Sequence, residues 1–307
     1  MKVLFLEPFH AGSHKLFLEG YIRHSSHQIK SITMPGRAWK WRLRGSAISI
    51  RDELNKLRDE FDILFASSLF PLADAVGLCP WLASIPRVVY MHENEAAYPV
   101  PKGKHRESEF ALTQLNSILS ADKVLFNSKF NLDSFLLGIR EIMDEMPDSQ
   151  HGDIEGDVRS RSVISGLGID FEELDSCAQP KDENSVPIIV WNHRWEFDKN
   201  PEEFYEVLVK LKDSNVEFRL AVLGGPANFE PKLFTQMKST FENEIIHFGH
   251  IEDRKEYLKQ LWQCHVAVST SRQDFFGISM VEAAWCGLDV VLPNRLAYPE
   301  VLGSVGR

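Results

Sequence analysis

The sequence predicts an α/β protein made of two Rossmann-like domains, each built on a parallel sheet. Short apolar and β-branched runs alternate with longer amphipathic segments, and this alternation restarts after a polar stretch beyond the middle of the chain. The length agrees with this prediction, because 307 residues suffice for two domains of about 150 residues each.

The first half of the chain contains six candidate strands, since short apolar runs between helical patterns are typical of buried parallel strands. They are KVLFLE, IKSITM, DILFAS, RVVYMH, KVLFNS and SVISGL. Helices are predicted over residues 13–25, 46–60, 106–121 and 128–146. This βαβ succession predicts a doubly wound sheet.

The polar segment CAQPKDENSV, residues 177–186, is predicted to be an interdomain linker. It separates an amino-terminal domain, 1–176, from a carboxy-terminal domain, 187–307, whose predicted strands are PIIVWNHR, FRLAVLGG, IIHFGHI and HVAVSTS. Asn200 as a capping side chain, followed by Pro201 and two acids, predicts a helix start. Ligands of such sheets bind beyond the carboxyl ends of the strands, so we expect the site in a cleft between the domains.

Composition excludes several classes of protein. A net charge of -10 argues against nonspecific nucleic-acid binding by the whole surface. The four cysteines lack CxxC spacing, which predicts reduced thiols and no structural metal. No run of about 18 apolar residues is present, as a membrane span would require, so a cytoplasmic protein without an anchor is expected.

The strand HVAVSTS leads into RQDFFGISMVEAAWCG, which carries two acids and a predicted helix start. The amides of Phe276, Gly277 and Ile278 lie where this helix begins, and such unpaired N–H groups suit a diphosphate or a sugar. Asp274 precedes them, and Glu282, in the helix, could accept hydrogen bonds from a ribose diol. The alternative is that Asp274 caps the helix and Glu282 is a buried, paired acid.

The loop WNHRWEFDKNP places Arg194 and Lys199 near the end of another strand. Two cations there can hold a diphosphate and stabilise it as it leaves, which an enzyme without a metal ion must assign to side chains. Alternatively, both are ordinary solvated loop residues.

Together, HRWEFDKNP and DFFGISMVEAAWCG resemble glycosyltransferase family 4. The resemblance implies a GT-B fold with two domains facing across a cleft, a nucleotide-sugar donor, retention of anomeric configuration, and no metal or other cofactor. It also implies that Arg194 and Lys199 hold the diphosphate, that Glu282 contacts the ribose, and that Asp274 and the amides after it contact the donor sugar, with Asp274 as a catalytic residue. The family commonly has Glu where this chain has Asp274.

The same resemblance extends to the loop HFGHIEDRKEY, where it implies that backbone groups of Gly249, His250 and Ile251 contact the nucleobase of the donor. Family members usually continue with further helices beyond the position of Arg307. The carboxy-terminal domain is therefore expected to lack those final helices.

Two positions of the amino-terminal domain are candidates for the site. Gly12, in FHAGSHK, allows close approach of donor or acceptor to the backbone, or merely forms a turn. His92 ends the strand RVVYMH, where the resemblance implies a histidine in contact with the donor sugar. Its imidazole could bind the sugar or orient the acceptor hydroxyl, with Glu93 as the neighbouring alternative and a structural histidine as the other.

Longer phrases resemble the tRNA-queuosine α-mannosyltransferase family and cover nearly the whole chain. They are EPFHAGSHK, PGRAWKWRLRGSA, LFASSLF, YMHENEAAYPV, VLFNSKFNLDSFL, WNHRWEFDKNPEEF and DFFGISMVEAAWCG. This resemblance implies GDP-mannose as donor and the cyclopentenediol of queuosine in tRNA-Asp as acceptor.

An RNA acceptor is also indicated by the residues themselves, because no Asp or Glu occurs from Gly20 to Arg51. Within this region, PGRAWKWRLRGS is predicted to be a loop in which aromatic faces stack on unpaired bases while cations meet phosphates. The alternative is an amphipathic surface loop with its tryptophans packed inward. The candidate tRNA-binding residues are Arg37, Trp39, Lys40, Trp41, Arg42 and Arg44.

Two other functions remain open at this point. One is a mannosyl- or glucosyltransferase acting on a small metabolite or glycan, with the basic segment merely solvated. The other is a non-catalytic tRNA-binding module on a GT-B scaffold. Only the first function predicts transfer of sugar to RNA, whereas the non-catalytic module would bind tRNA yet neither hydrolyse nor transfer a nucleotide sugar.

Overall fold

The computed structural model describes residues 1–58, 60–100, 103, 105–147, 152–182, 185–225 and 232–303. It divides the chain into two compact units, Met1–Ile169 and Asp170–Arg307. Each unit contains one parallel sheet with helices packed against it.

The amino-terminal unit confirms all six predicted strands. They are β1 (Lys2–His10), β2 (Gln28–Pro35), β3 (Ile63–Ser67), β4 (Arg87–Met91), β5 (Lys123–Phe126) and β6 (Ser162–Ile164). The helices are α1 (Gly12–His24), α2 (Trp39–Lys56), α3 (Leu72–Leu78), α4 (Ser108–Leu119), α5 (Lys129–Asp144) and α6 (Ile154–Arg161), with a 3-10 helix at Pro80–Ser84. The strand order is β2-β1-β3-β4-β5-β6, and neighbouring strands run parallel.

Successive side chains of a strand point to opposite faces of the sheet, and helices cover both faces. Phe5 and Tyr90 pack on one face against Leu18 of α1. Leu4 and Val89 pack on the other, in the cluster that includes residues of α2, α4 and α5. The strand ends therefore present polar groups just beyond two apolar layers.

The carboxy-terminal unit contains the four predicted strands and a fifth. They are β7 (Ile188–Asn192), β8 (Arg219–Leu223), β9 (Ile245–Gly249), β10 (Val266–Val268) and β11 (Asp289–Val291). The helices are α7 (Phe171–Ser176), α8 (Pro201–Asp213), α9 (Lys232–Thr240), α10 (Arg254–Gln263), α11 (Ile278–Trp285) and α12 (Tyr298–Val301), with a 3-10 turn at Phe197–Lys199. The order is β11-β10-β7-β8-β9. Strand β11 escaped prediction because it is short and only Val290 in it is buried.

The prediction of a loop over PGRAWKWRLRGS was wrong, since α2 begins at Trp39 and not near Ser46. Helical spacing explains the earlier start: Leu43, Ala47, Ile50 and Leu54 lie on one buried face, and the first two turns continue that face.

The prediction that the Asn200 side chain caps α8 was also wrong. Asn200 is the N-cap residue, but its backbone is left-handed, with φ 53°, and its side chain makes no capping bond. Instead its amide nitrogen donates to Glu203, and its amide oxygen accepts from Arg272 at 2.7 Å. The helix still begins at Pro201, as predicted.

The boundary between the units lies at Ile169/Asp170, earlier than the predicted end of the first domain at residue 176. Helix α7 packs within the carboxy-terminal unit, where Phe171 stacks on Trp285 and the carbonyl of Leu174 accepts a hydrogen bond from Trp262. Within the predicted linker, residues 183 and 184 lie outside the described residues.

The described helices were compared with the length and apolarity that a bilayer requires. None of them is both long enough and apolar enough to span one.

Candidate active site

The carboxy-terminal sheet reverses its winding between β7 and β10, because β8 and β9 lie on one side of β7 while β10 and β11 lie on the other. In such sheets the loops at the reversal separate and leave a crevice beyond the carboxyl ends of the strands. The loop that carries Arg194 and Lys199 follows β7, and the loop that carries Asp274 follows β10. The fold therefore brings the two sequence motifs to one edge.

Lys199 joins these two loops directly. Its side chain is 10% exposed, and its Nζ donates to the carbonyl of Gln273 at 2.7 Å and lies 3.4 Å from the carboxylate of Asp274. Burial by itself would raise the pKa of Asp274, but the ammonium of Lys199 leads the groups that hold it below its ordinary value. Asp274 is thus a buried, charged carboxylate, and the N-cap position of α11 belongs to Gly277.

Tyr298 fixes Asp274 from the other side. Its hydroxyl donates to Asp274 Oδ2 at 3.0 Å and lies 2.8 Å from Ser269 Oγ. Gly277 has φ 81°, and a Cβ there would lie 2.5 Å from the Tyr298 ring. Only glycine satisfies both constraints, and as the N-cap it fixes the start of α11 at Ile278. Of the three predicted amides, that of Ile278 is therefore the first of the helix, while those of Phe276 and Gly277 precede it.

Glu282 is 3% exposed, and each of its carboxylate oxygens accepts a hydrogen bond from a neighbour that the sequence did not single out. Arg254 Nη2 donates to one of its oxygens at 2.6 Å, and the Tyr257 hydroxyl donates to the other at 3.2 Å. Asn192, at the end of β7, donates to the Tyr257 hydroxyl at 3.0 Å. Burial and the nearby Glu282 raise the pKa of Tyr257 well above its usual value, which keeps it a neutral donor. The sequence signal for these partners is that Arg254 and Tyr257 are three residues apart and therefore share one face of α10.

Arg194 lies at the surface of the loop in which Lys199 is buried. Its side chain is 60% exposed and forms an ion pair with Glu196 at 2.9 Å. His193, which directly precedes Arg194, is buried, and burial, followed by the charge of Lys199, lowers its pKa to about 3. The ring of His193 is therefore neutral, and its Nε2 has no hydrogen-bond partner among the described residues.

The predicted nucleobase loop follows β9, two strands away from β7. Gly249 has φ 132° and leaves open space around the position of a Cβ, while His250 is exposed and Ile251 partly buried. Gly224 and Gly225, which the sequence analysis left without a role, follow β8. They contact both the loop after β7 and the loop after β9. A Cβ on Gly224 would lie 2.1 Å from the carbonyl of His193, and one on Gly225 3.1 Å from His250 Cβ.

The amino-terminal sheet has its own winding reversal, between β1 and β3, and His92 lies next to it at the end of β4. His92 is 6% exposed, and its ring stacks on that of His14 with centroids 4.1 Å apart. Its Nε2 has no hydrogen-bond partner among the described residues. Burial, together with the charge of His14, lowers the pKa of His92 well below its usual value, so the ring is neutral. A neutral, unpaired nitrogen can bind a hydroxyl.

His14, in the first turn of α1, was missed by the sequence analysis, which used the same segment only for Gly12. Its Nδ1 lies 3.0 Å from Glu7 Oε2 and its Nε2 lies 2.9 Å from Glu93 Oε2. Burial alone would lower its pKa, but the carboxylates of Glu93 and Glu7 raise it to about 10. Gly12 has φ 51°, and no atom lies within 4 Å of the position of its Cβ.

The atoms of Glu7, His14 and His92 lie within 4.8 Å of one another, close enough to suggest a metal site. These residues do not fit an ion, because both ring nitrogens of His14 are already bonded to carboxylates. A buried imidazolium between two carboxylates accounts for the cluster.

The predicted tRNA-binding residues lie in helix α2, except for Arg37, which precedes it, and the structure divides them. Trp39 is partly buried against Phe110, with ring centroids 5.1 Å apart, whereas Trp41 is 75% exposed. Arg37 is exposed, and Arg42 donates to the carbonyl of Pro35 at 3.3 Å. Two exposed ion pairs connect α2 to the start of α4, Lys40 with Glu107 and Arg44 with Glu109. Trp41 is thus available for stacking, while Trp39 follows the inward-packed alternative.

Comparison with known proteins assigns each unit to a family. The amino-terminal unit matches the family described as tRNA-queuosine alpha-mannosyltransferase N-terminal over residues 2–169. The carboxy-terminal unit matches glycosyl transferases group 1 over residues 175–305. The chain is 35% identical over 308 residues to a tRNA-queuosine alpha-mannosyltransferase of Drosophila melanogaster, covering 97% of this chain and 81% of that protein.

Solved structures agree on the fold. The protein is similar to HepE of Anabaena in complex with UDP, with a TM-score of 0.66 and 15% identity over 98% of this chain and 82% of that one. It is similar too to an E. coli structure described as trehalose-6-phosphate bound with UDP-2-fluoro glucose, with a TM-score of 0.70 and 13% identity over 99% and 87%. These neighbours are GT-B glycosyltransferases. Since the first family covers more than half of the chain and the Drosophila relative nearly all of it, the chain belongs to the tRNA-queuosine alpha-mannosyltransferase family and is a glycosyltransferase of the GT-B fold.

Proposed function

We propose that the protein transfers mannose from GDP-mannose to the cyclopentenediol of queuosine in tRNA-Asp, with retention of anomeric configuration and without a metal ion. The observation that carries this proposal is the 35% identity to a tRNA-queuosine alpha-mannosyltransferase over 97% of the chain. Within the carboxy-terminal unit, the proposal is supported by Lys199 and the start of α11, which lie at one edge of the sheet.

In this reaction the bond between the anomeric carbon and the diphosphate oxygen breaks, and the acceptor hydroxyl oxygen forms the new bond to that carbon. The leaving GDP gains the bonding electron pair, and the hydroxyl proton passes to its phosphate oxygen. Lys199 and Arg194 would stabilise the growing negative charge together with the amides at the start of α11. Asp274 would bind donor-sugar hydroxyls, with Tyr298 fixing its position, and Glu282 would contact the ribose.

On the acceptor side, Trp41 would stack on an unpaired base of the anticodon loop while Arg37 and its neighbours meet phosphates. Lys40 and Arg44 are paired with acids at an exposed surface. Such pairs contribute little to stability, so phosphates can replace the acids at small cost. His92 would contribute its unpaired nitrogen to the donor sugar or the acceptor hydroxyl.

The test is to incubate the purified protein with radiolabelled GDP-mannose and tRNA from cells with or without queuosine, in the presence of EDTA. We expect label only in queuosine-containing tRNA, and we expect UDP-mannose and UDP-glucose to give none. The anomeric carbon–hydrogen coupling constant of the product, measured by NMR, reports retention. Label in a small molecule but not in RNA would contradict the proposed acceptor, and loss of activity with EDTA would contradict the metal-free reaction.

A further inference from the structure

The carboxylate of Glu93 is held by two donors. Ser68 Oγ donates to one of its oxygens, and His14 Nε2 donates to the other at 2.9 Å. Its side chain is 16% exposed, more than that of either partner of the cluster behind it, since His14 is 5% and Glu7 0% exposed. Glu93 is therefore the member of the cluster that a substrate can contact.

His14 can donate a hydrogen bond to both ionised carboxylates only as an imidazolium. A neutral imidazole has one N–H group, so one of the two carboxylates would face a lone pair instead of a donor. Glu7, on the far side, is fixed in turn, since its Oε1 accepts the backbone N–H of Phe9 at 2.8 Å. The raised pKa of His14 agrees with this protonation state. The ring cannot rotate without breaking both charged hydrogen bonds.

The two carboxylates of this cluster differ in their access to a substrate. Glu7 is deeply buried and faces protein groups, whereas Glu93 is partly exposed and follows His92 in the chain. Each oxygen of a carboxylate has two lone pairs, so the Glu93 oxygens that accept from Ser68 and His14 can also accept a hydrogen bond from a hydroxyl group.

We propose that His14 is a positioning residue, which holds the carboxylate of Glu93 in the orientation that accepts a hydrogen bond from the acceptor hydroxyl. Glu93 orients this hydroxyl and does not take its proton. This inference rests on the proposed function for the identity of the acceptor, but the arrangement of His14 between the two carboxylates can be tested without it.

Two substitutions separate the two hydrogen bonds of the ring. His14→Gln places an amide nitrogen near the position of Nε2, where it can still donate to Glu93. His14→Asn reaches only the position of Nδ1, where it can donate to Glu7. We expect His14→Asn to lower kcat on the order of 10-fold to 100-fold, with little change in the KM for GDP-mannose, because a misplaced reacting group costs about that much. His14→Gln should recover a large part of the loss.

Both variants lose the charged ring, so their melting temperatures should fall by similar amounts and cannot account for a difference in kcat. Equal kcat values in the two variants would overturn the inference. A double-mutant cycle adds an independent criterion: in a Glu93→Gln background, His14→Asn should have little further effect. Additive losses would show that His14 acts apart from Glu93.

The arrangement itself can be measured by NMR with 15N-labelled histidine. We expect two ring N–H protons on His14 in the wild-type protein, and a shift or loss of the Nε2 proton in Glu93→Gln. A single ring proton, or signals indifferent to Glu93→Gln, would overturn the inference. If the wild-type protein transfers no mannose to queuosine-containing tRNA, the proposed function fails, while this measurement still decides the role of His14.

Discussion

Gly277 is a position where a single methyl group should have a large effect on the donor half of the site. The substitution Gly277→Ala has two separate costs. The left-handed conformation at φ 81° costs an alanine about 1–2 kcal/mol. The new Cβ would also lie 2.5 Å from the ring of Tyr298, and such overpacking costs about 1–3 kcal/mol more.

Tyr298 cannot move away freely, since it is 2% exposed and its hydroxyl is bonded to Asp274. We therefore expect Gly277→Ala to lower the free energy of unfolding of the carboxy-terminal unit by about 2–5 kcal/mol. Because the displaced ring carries the hydroxyl that fixes Asp274, the KM for the sugar donor should rise as well.

The matched control is Gly287→Ala, at the other end of α11. Gly287 also has a positive φ, 72°, but the nearest atom to its Cβ position is Lys181 Nζ at 3.8 Å. This variant should lose only the conformational part, about 1–2 kcal/mol. Urea unfolding, with m values compared between variants, measures both losses. Equal losses in the two variants would refute the argument that Tyr298 is held in place.

Three further outcomes are expected. Lys199→Met leaves the buried carboxylate of Asp274 without its cation. The free energy of unfolding, measured in urea, should fall by up to about 3 kcal/mol, and kcat/KM for the donor should fall as well. The control is Lys259→Met at an exposed position, whose free energy of unfolding should stay within about 0.5 kcal/mol of wild type. Trp41→Ala should weaken tRNA binding in filter assays by about 1–3 kcal/mol without lowering the melting temperature, whereas Trp39→Ala should lower the melting temperature. Burial lowers the pKa of His14, but its two carboxylates raise it to about 10. The contribution of His14 to the stability of the folded protein is therefore complete below its unfolded pKa of about 6.5 and is lost as pH rises towards 10. His14→Gln should flatten that loss in urea midpoints, and a slope equal to that of wild type would contradict the assigned protonation.

Most of the fold could be predicted from the sequence because it is encoded locally. The alternation of apolar strands and amphipathic helices gave ten strands that the structure confirms. The motif around Gly277 was equally local, since a helix start after a glycine can be recognised within one loop. Strand β11 was missed because three residues give too little periodicity.

By itself, the sequence determined the fold class, the two motifs of the carboxy-terminal unit and the basic character of the segment that contains Trp41. Only the tertiary structure decided that this segment is helical, that Glu282 pairs with Arg254, and that His14 bridges Glu7 and Glu93. His14 and Glu93 are 79 residues apart, and Arg254 and Glu282 are 28 residues apart, and neither periodicity nor composition carries information about which strand ends become neighbours. The two carboxylates that the fold places beside His14 raise its pKa against the effect of burial, because the cost of removing a charge from water depends on the partners beside it.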